Sequence, residues 1–228
     1  NQPTSDAVVR ATAAATLVCI CNFGSRAEVT DAGGVEALLR LIGREGEGCE
    51  AGELQAVRGL RSLAEYTGSH ASLACGLSPL VSLATSVTDG EARQSAIAIL
   101  HMLANGGDEV AAGALSSSPA AVALLVNQLG GSAAEQSLAV RSLRHLSGQP
   151  ATLSSIVEAS GVAPLVSVAR AHDAAARRDA TLVLMRLSAL PHTEAVALFS
   201  GVEVILAAVQ QGDAERESRS SSDFRRWP

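Results

Sequence analysis

Five histidines (His70, His101, His145, His172 and His192), four cysteines (Cys19, Cys21, Cys49 and Cys75) and one glycine-rich stretch are the residues that could carry chemistry here. The histidines are scattered, no HExxH helix occurs, and no CxxC pair completes a zinc set. Cys19 and Cys21 stand two apart in an expected helix, which sends them to different faces. We therefore expect reduced, structural cysteines and surface or groove histidines, with no metal and no cofactor. Cysteine usage of this kind favours an intracellular, cytoplasmic compartment, or an organelle if a targeting segment has been removed. The stretch Gly43-Arg44-Glu45-Gly46-Glu47-Gly48-Cys49-Glu50-Ala51-Gly52 could suggest a phosphate cradle, but GxxxxGK is missing and three glutamates would repel phosphate. It reads as a long acidic loop between two helices. All 17 basic residues are arginine. Without lysine there is no P-loop lysine, no Schiff-base lysine and no kinase-type lysine–glutamate pair. GxSxG and EF-hand patterns are missing too, and a non-catalytic chain is expected.

The elements that must position these residues are helices. Of 228 residues, 47% are apolar and only 2% aromatic. Alanine and leucine suit closely packed helices, because alanine lets backbones approach and leucine fills the gaps. The β-branched, aromatic-rich alternation of strands is missing, so the class is all-α. A formal charge of −6 lacks the footprint of a nucleic-acid binder. No apolar run approaches 18 residues, so no transmembrane span is expected. The chain begins at Asn1 without an apolar signal core, which suggests a fragment, a processed chain or part of something longer.

Two ladders recur. The first is Ala13-Leu17-Ile20, Ala56-Leu60-Leu63, Ala96-Leu100-Leu103, Ala139-Leu143-Leu146 and Ala180-Leu184-Leu187, with middle leucines 43, 40, 43 and 41 residues apart. Spacings of i, i+4 and i+7 put each trio on one helix face. The second is a glycine corner before an apolar pair: Gly34-Val35 before Leu38-Leu39, Gly76-Leu77 before Leu80-Val81, Gly161-Val162 before Leu165-Val166, and Gly201-Val202 before Ile205-Leu206. In one unit Ala120 takes the glycine's place before Leu124-Leu125, and Ser116-Ser117-Ser118-Pro119 makes the break. Segments such as Ser69 to Cys75 and Thr152 to Ser160 read as a brief first helix.

Three helices in roughly 40–47 residues is the armadillo period. The chain resembles the armadillo repeat family through segments such as Asp31-Ala32-Gly33-Gly34-Val35-Glu36-Ala37-Leu38-Leu39-Arg40-Leu41-Ile42. The related HEAT repeat is the alternative, and the recurring glycine corner favours armadillo. The resemblance implies a right-handed α-solenoid of three-helix repeats. The array is expected over residues 1–211, with a partial repeat at 5–24, repeats at about 25–68, 69–106, 107–149 and 150–190, a second partial repeat at 191–211, and a polar tail at 212–228.

In that family the third helices line a groove that holds extended partner segments. Helical angle, with Leu60 taken as pointing to the core, turns Arg58 and Ser62 the opposite way; the same offsets give Ala98 and Met102, Arg141 and His145, and Leu182 and Arg186. Members that carry nuclear import cargo have tryptophan and asparagine there. Both are absent from these positions, which argues against a basic import signal. Arg58, Arg141 and Arg186, with Arg61, Arg144 and Arg178 flanking and His145 between, form instead a stripe suited to an acidic or phosphorylated segment. The bland alternative pairs these arginines with Glu53, Glu65, Glu135 and Asp179 on a solvated face. Phe224 and Trp227, in the tail, are candidate anchors on a partner. The leading functional expectation is a protein-binding scaffold or adaptor. The alternatives are a structural subunit of a multi-subunit organellar or ciliary assembly and the substrate-recognition array of a ubiquitin ligase.

Overall fold

The computed structural model of the chain describes residues 12–20, 25–42, 50–85, 90–171 and 173–190. Among these residues there is helix and turn but no strand. They fall into two compact units, Asn1–Leu124 and Leu125–Pro228. The first holds α1 (residues 12–20), α2 (Arg26–Asp31), α3 (Gly34–Leu39), α4 (Glu50–Ala64), α5 (His70–Ala74, entered through a 3-10 turn at Thr67–Ser69), α6 (Leu77–Thr85), α7 (Gly90–Asn105) and α8 (Glu109–Ser116). The dividing point lies within α9 (Pro119–Gln128), and the second unit continues with α10 (Ala133–Leu146), α11 (Pro150–Glu158), α12 (Val162–Ala169) and α13 (Ala174–Ser188).

Helix starts follow from local chemistry. Ser25, Asp108, Ser132 and Asp173 each accept a hydrogen bond from a backbone N–H of the first turn of the helix they precede, satisfying donors that have no partner inside the helix. At α10 the arrangement is reciprocal, with the Glu135 carboxylate accepting from the Ser132 backbone N–H at 2.7 Å. The acidic segment expected to be loop through Gly52 gives up Glu50, Ala51 and Gly52 to α4.

In the first unit α3 lies on α4, and α4 and α6 both lie on α7; in the second, α10 and α12 lie on α13. The surface that drives this is the first ladder. Ala56, Leu60, Leu63, Ala96, Leu100, Leu103, Ala139, Leu143, Leu146, Ala180, Leu184 and Leu187 are all 0% exposed, and full burial of a leucine stabilises by about 1.5–3 kcal/mol. The ladder expected in α1 does not hold. Ala13 is exposed and Ile20 is 46% exposed, while Ala14 is buried instead. Val18, four residues beyond Ala14, borders Gly59 of α4 together with Leu38. The helix is turned by one position from the pattern read in the sequence.

The corner glycines are needed for space. A Cβ on Gly34 would stand 2.5 Å from Val29 Cγ1 and 2.7 Å from the Val29 carbonyl oxygen, and one on Gly161 would stand 2.8 Å from Ile156 Cγ2 and 3.0 Å from its carbonyl oxygen. At Gly76 the obstacle is the Leu39 side chain. Gly161 itself has an ordinary helical backbone (φ −73°). The left-handed turn falls one residue earlier, at Gly33 (φ 78°) in the first unit and at Ser160 (φ 57°) in the second. There the Gly161 N–H donates to the Ile156 carbonyl at 2.8 Å, the 6→1 bond that closes a helix C-terminus around a left-handed residue.

Candidate partner-binding surface

Within the second unit, α10 and α13 lie side by side, and what they leave exposed is a mixed cationic and apolar face. From α10 come Leu138, Arg141 and His145, at spacings of three and four that hold one side of the helix. From α13 come Arg178, Met185 and Arg186, with Leu182 half-buried among them. The two helices carry five arginines (Arg141, Arg144, Arg177, Arg178, Arg186) against two carboxylates, Glu135 and Asp179. Glu135 is held in the capping box at the far end of α10. In an acidic chain this face is locally positive.

Its arginines are not equivalent. Arg144 Nε lies 3.0 Å from Asp179 Oδ1, tying α10 to α13. Arg186 reaches back from α13 and donates through Nη1 to the Arg144 carbonyl oxygen at 2.9 Å and to the Ser147 hydroxyl at 2.7 Å, closing the end of α10. Arg141 and Arg178 are exposed. Arg144 Nη2 also donates to His145 Nε2 at 3.0 Å, a bond only an unprotonated ring nitrogen can accept. Partial burial, followed by Arg144, Arg141 and Arg186, holds the His145 pKa below its ordinary 6.5, with the Asp179 carboxylate pulling the other way.

The first unit places the remaining stripe residues differently. Arg58 donates from Nε to Glu91 Oε1 at 2.9 Å and forms a second contact through Nη2, so its partner comes from α7 and not from Glu53 on its own helix. Glu65 pairs with Arg26 at 2.6 Å. Arg61 is exposed. Ser62, expected to face outward, is only 9% exposed; its direction allows exposure, but a serine is too short to reach past its neighbours. Met102, at the same offset in α7, is half-buried, whereas His145 and Arg186 are exposed.

Two of the expected surface histidines are interior. His70 donates through Nε2 to the Ala64 carbonyl oxygen at 2.8 Å, and with Ser69, whose hydroxyl donates to the Leu63 carbonyl at 2.7 Å, it closes the end of α4. His101 is buried within α7. Phe224, Trp227, His172, His192, Cys21, Cys49 and the 191–211 partial repeat lie outside the described residues. Cys19 and Cys75 are free and exposed. Among the described residues no group of three His, Cys, Asp or Glu could hold a metal ion, and no single helix is long and apolar enough to cross a membrane. Sequence reasoning missed the apolar members of the α10–α13 face, Leu138 and Met185. The helical angles that picked out Arg141 and Arg186 would have found them.

No family model and no curated protein sequence matches the chain. Solved structures do. An engineered protein is 27% identical with a TM-score of 0.64, over 92% of this chain and 84% of that one. A computationally designed armadillo repeat protein for modular peptide recognition is 20% identical with a TM-score of 0.61, over 86% and 92% of the two chains. A designed armadillo repeat protein in complex with the peptide (KR)4 is 20% identical with a TM-score of 0.62, over 88% and 83%. With its ladders buried helix on helix and its glycine corners closed, the chain has an armadillo-like repeat fold.

Proposed function

We propose that this chain is a non-catalytic protein-binding scaffold whose α10–α13 face receives an acidic segment of a partner. The observation that carries the reading is the exposed, positive and partly apolar surface of Arg141, His145, Arg178, Leu138 and Met185, held on two packed helices. Arginine pairs with carboxylate or phosphate through charge-assisted, often bidentate hydrogen bonds, and exposed apolar side chains beside it add buried area. Peptide recognition by designed proteins of the same fold supports the reading at the level of the scaffold. The reversed charge of this face fits an acidic segment better than a basic one.

The test uses the peptide (Glu-Leu)4 against (Lys-Leu)4, followed by fluorescence anisotropy at low salt. The acidic peptide should bind and the basic one should not. The double variant Arg141→Glu/Arg178→Glu should weaken acidic binding by roughly tenfold or more, because neither side chain is spent on closing a helix end. Equal affinity for the two peptides, or an unchanged double variant, would sink the proposal.

A further inference from the structure

His145 sits where three guanidinium groups are offset by one carboxylate. On its own helix Arg144 donates to its Nε2 at 3.0 Å, and Arg141 stands one turn before it on the exposed side. From α13, Asp179 is 3.0 Å from Arg144, and Arg186 lies against the Arg144 carbonyl and Ser147. Because Nε2 accepts from Arg144, the ring proton is on Nδ1 and the imidazole is neutral. The ring is nevertheless exposed, so an incoming segment can reach it.

We propose that His145 is the proton-accepting, specificity-determining contact of this surface, so that an acidic segment docking on α10 and α13 is captured together with one proton. The inference rests on the reading that this face takes an acidic segment. A carboxylate placed beside Arg141 and His145 adds a negative charge where positive charge had discouraged protonation, and it stabilises the imidazolium. The proton comes from solvent and goes to Nε2. It displaces the hydrogen bond from Arg144 Nη2, and the freed guanidinium edge can then pair with the ligand carboxylate. The neutral ring becomes a cation beside the guanidinium of Arg144, which stays tied to Asp179 through Nε.

The sign follows from linkage. The surroundings of the free ring hold its pKa below the ordinary 6.5, and the bound ring has the higher pKa. Affinity is therefore strongest below the free-state pKa and falls as pH rises between the free and bound values. It flattens above the bound value. In the falling region each binding event takes up close to one proton, and the dissociation constant weakens by up to tenfold per pH unit. A basic or uncharged segment would gain nothing from the ring.

Isothermal titration calorimetry with (Glu-Leu)4 tests this between pH 6.0 and 7.5, well above the ordinary glutamate pKa of about 4.3. Paired buffers of different ionisation enthalpy report the proton count. The wild type should take up a substantial fraction of one proton and bind more weakly as pH rises. His145→Gln, checked by circular dichroism for an unchanged fold, should take up none and bind at every pH within a few-fold of the wild type at pH 7.5. Peptide binding without proton uptake, or uptake that persists in His145→Gln, overturns this inference alone. No binding of the peptide at any pH overturns the reading on which it rests as well.

Discussion

Arg141 and Arg144 are three residues apart on one helix and do different work. Arg144 is engaged by Asp179 and His145, whereas Arg141 is turned outward. Replacing Arg141 by alanine should leave stability within about 0.5 kcal/mol, as for surface substitutions generally, which chemical denaturation would check. His145 adds a pH effect of its own. Its folded-state pKa lies below the ordinary 6.5, so the unfolded chain binds more protons as pH falls through that value. The sign is a loss of stability on acidification that begins near 6.5 and is complete below the folded pKa. His145→Gln should flatten that part of the stability–pH curve, by an amount that solvent screening keeps small. A steeper acid loss in the variant would contradict the assignment. Ser160 offers a test in the other direction. A serine at φ 57° occupies a region that glycine adopts freely, and Ser160→Gly should stabilise the protein by up to about 1 kcal/mol in thermal unfolding. Gly33, at the equivalent corner of the first unit, already has that residue type.

Among the helices, the long ladders were legible because three apolar positions at i, i+4 and i+7 leave only one face to bury. Leu60, Leu100, Leu143 and Leu184 are fully enclosed. Leu143→Ala should cost about 2–5 kcal/mol, read by denaturant unfolding, with the spread set by how far the neighbours close on the gap. In α1 the pattern was ambiguous by its own chemistry. Ala13-Leu17 and Ala14-Val18 are almost equally apolar pairs, and Val18 is the one that meets Gly59 of α4. The glycine corners were found in the sequence, but for a different reason from the one that holds them. Their positions need room more than unusual dihedrals. Gly34→Ala should therefore be harmful even though α3 is a helix in which alanine is otherwise preferred. A loss of about 1–3 kcal/mol is expected from overpacking against the Val29 side chain and carbonyl. The candidate face was half legible. Helical angle located Arg141, His145 and Arg186, but it could not reveal that Arg186 closes α10 or that Arg58 pairs across to α7. Those contacts join residues 42 and 33 positions apart, and only the packing of neighbouring helices creates them.

At the scale of the molecule, a repeat array distributes stability over neighbouring repeats. The ladders of α4, α7, α10 and α13 are uniformly buried. The polar closures at the helix ends are not. The last carbonyls of α4 are served by Ser69 and His70, each six residues beyond the carbonyl it meets. Those of α10 are served by Ser147 and by an arginine that arrives from α13. Repeats that look alike in their hydrophobic pattern are therefore individually keyed. Moving the α11–α13 module to a position behind α4 would bring an arginine to carbonyls that already have donors, and would leave Ser147 alone to serve the end of α10. Duplicating a repeat copies its ladder, whereas the Arg186 latch also needs the Arg144 carbonyl and the Ser147 hydroxyl that come from the neighbouring helix. The α4 and α10 ends are thus alike in fold and different in the groups that close them.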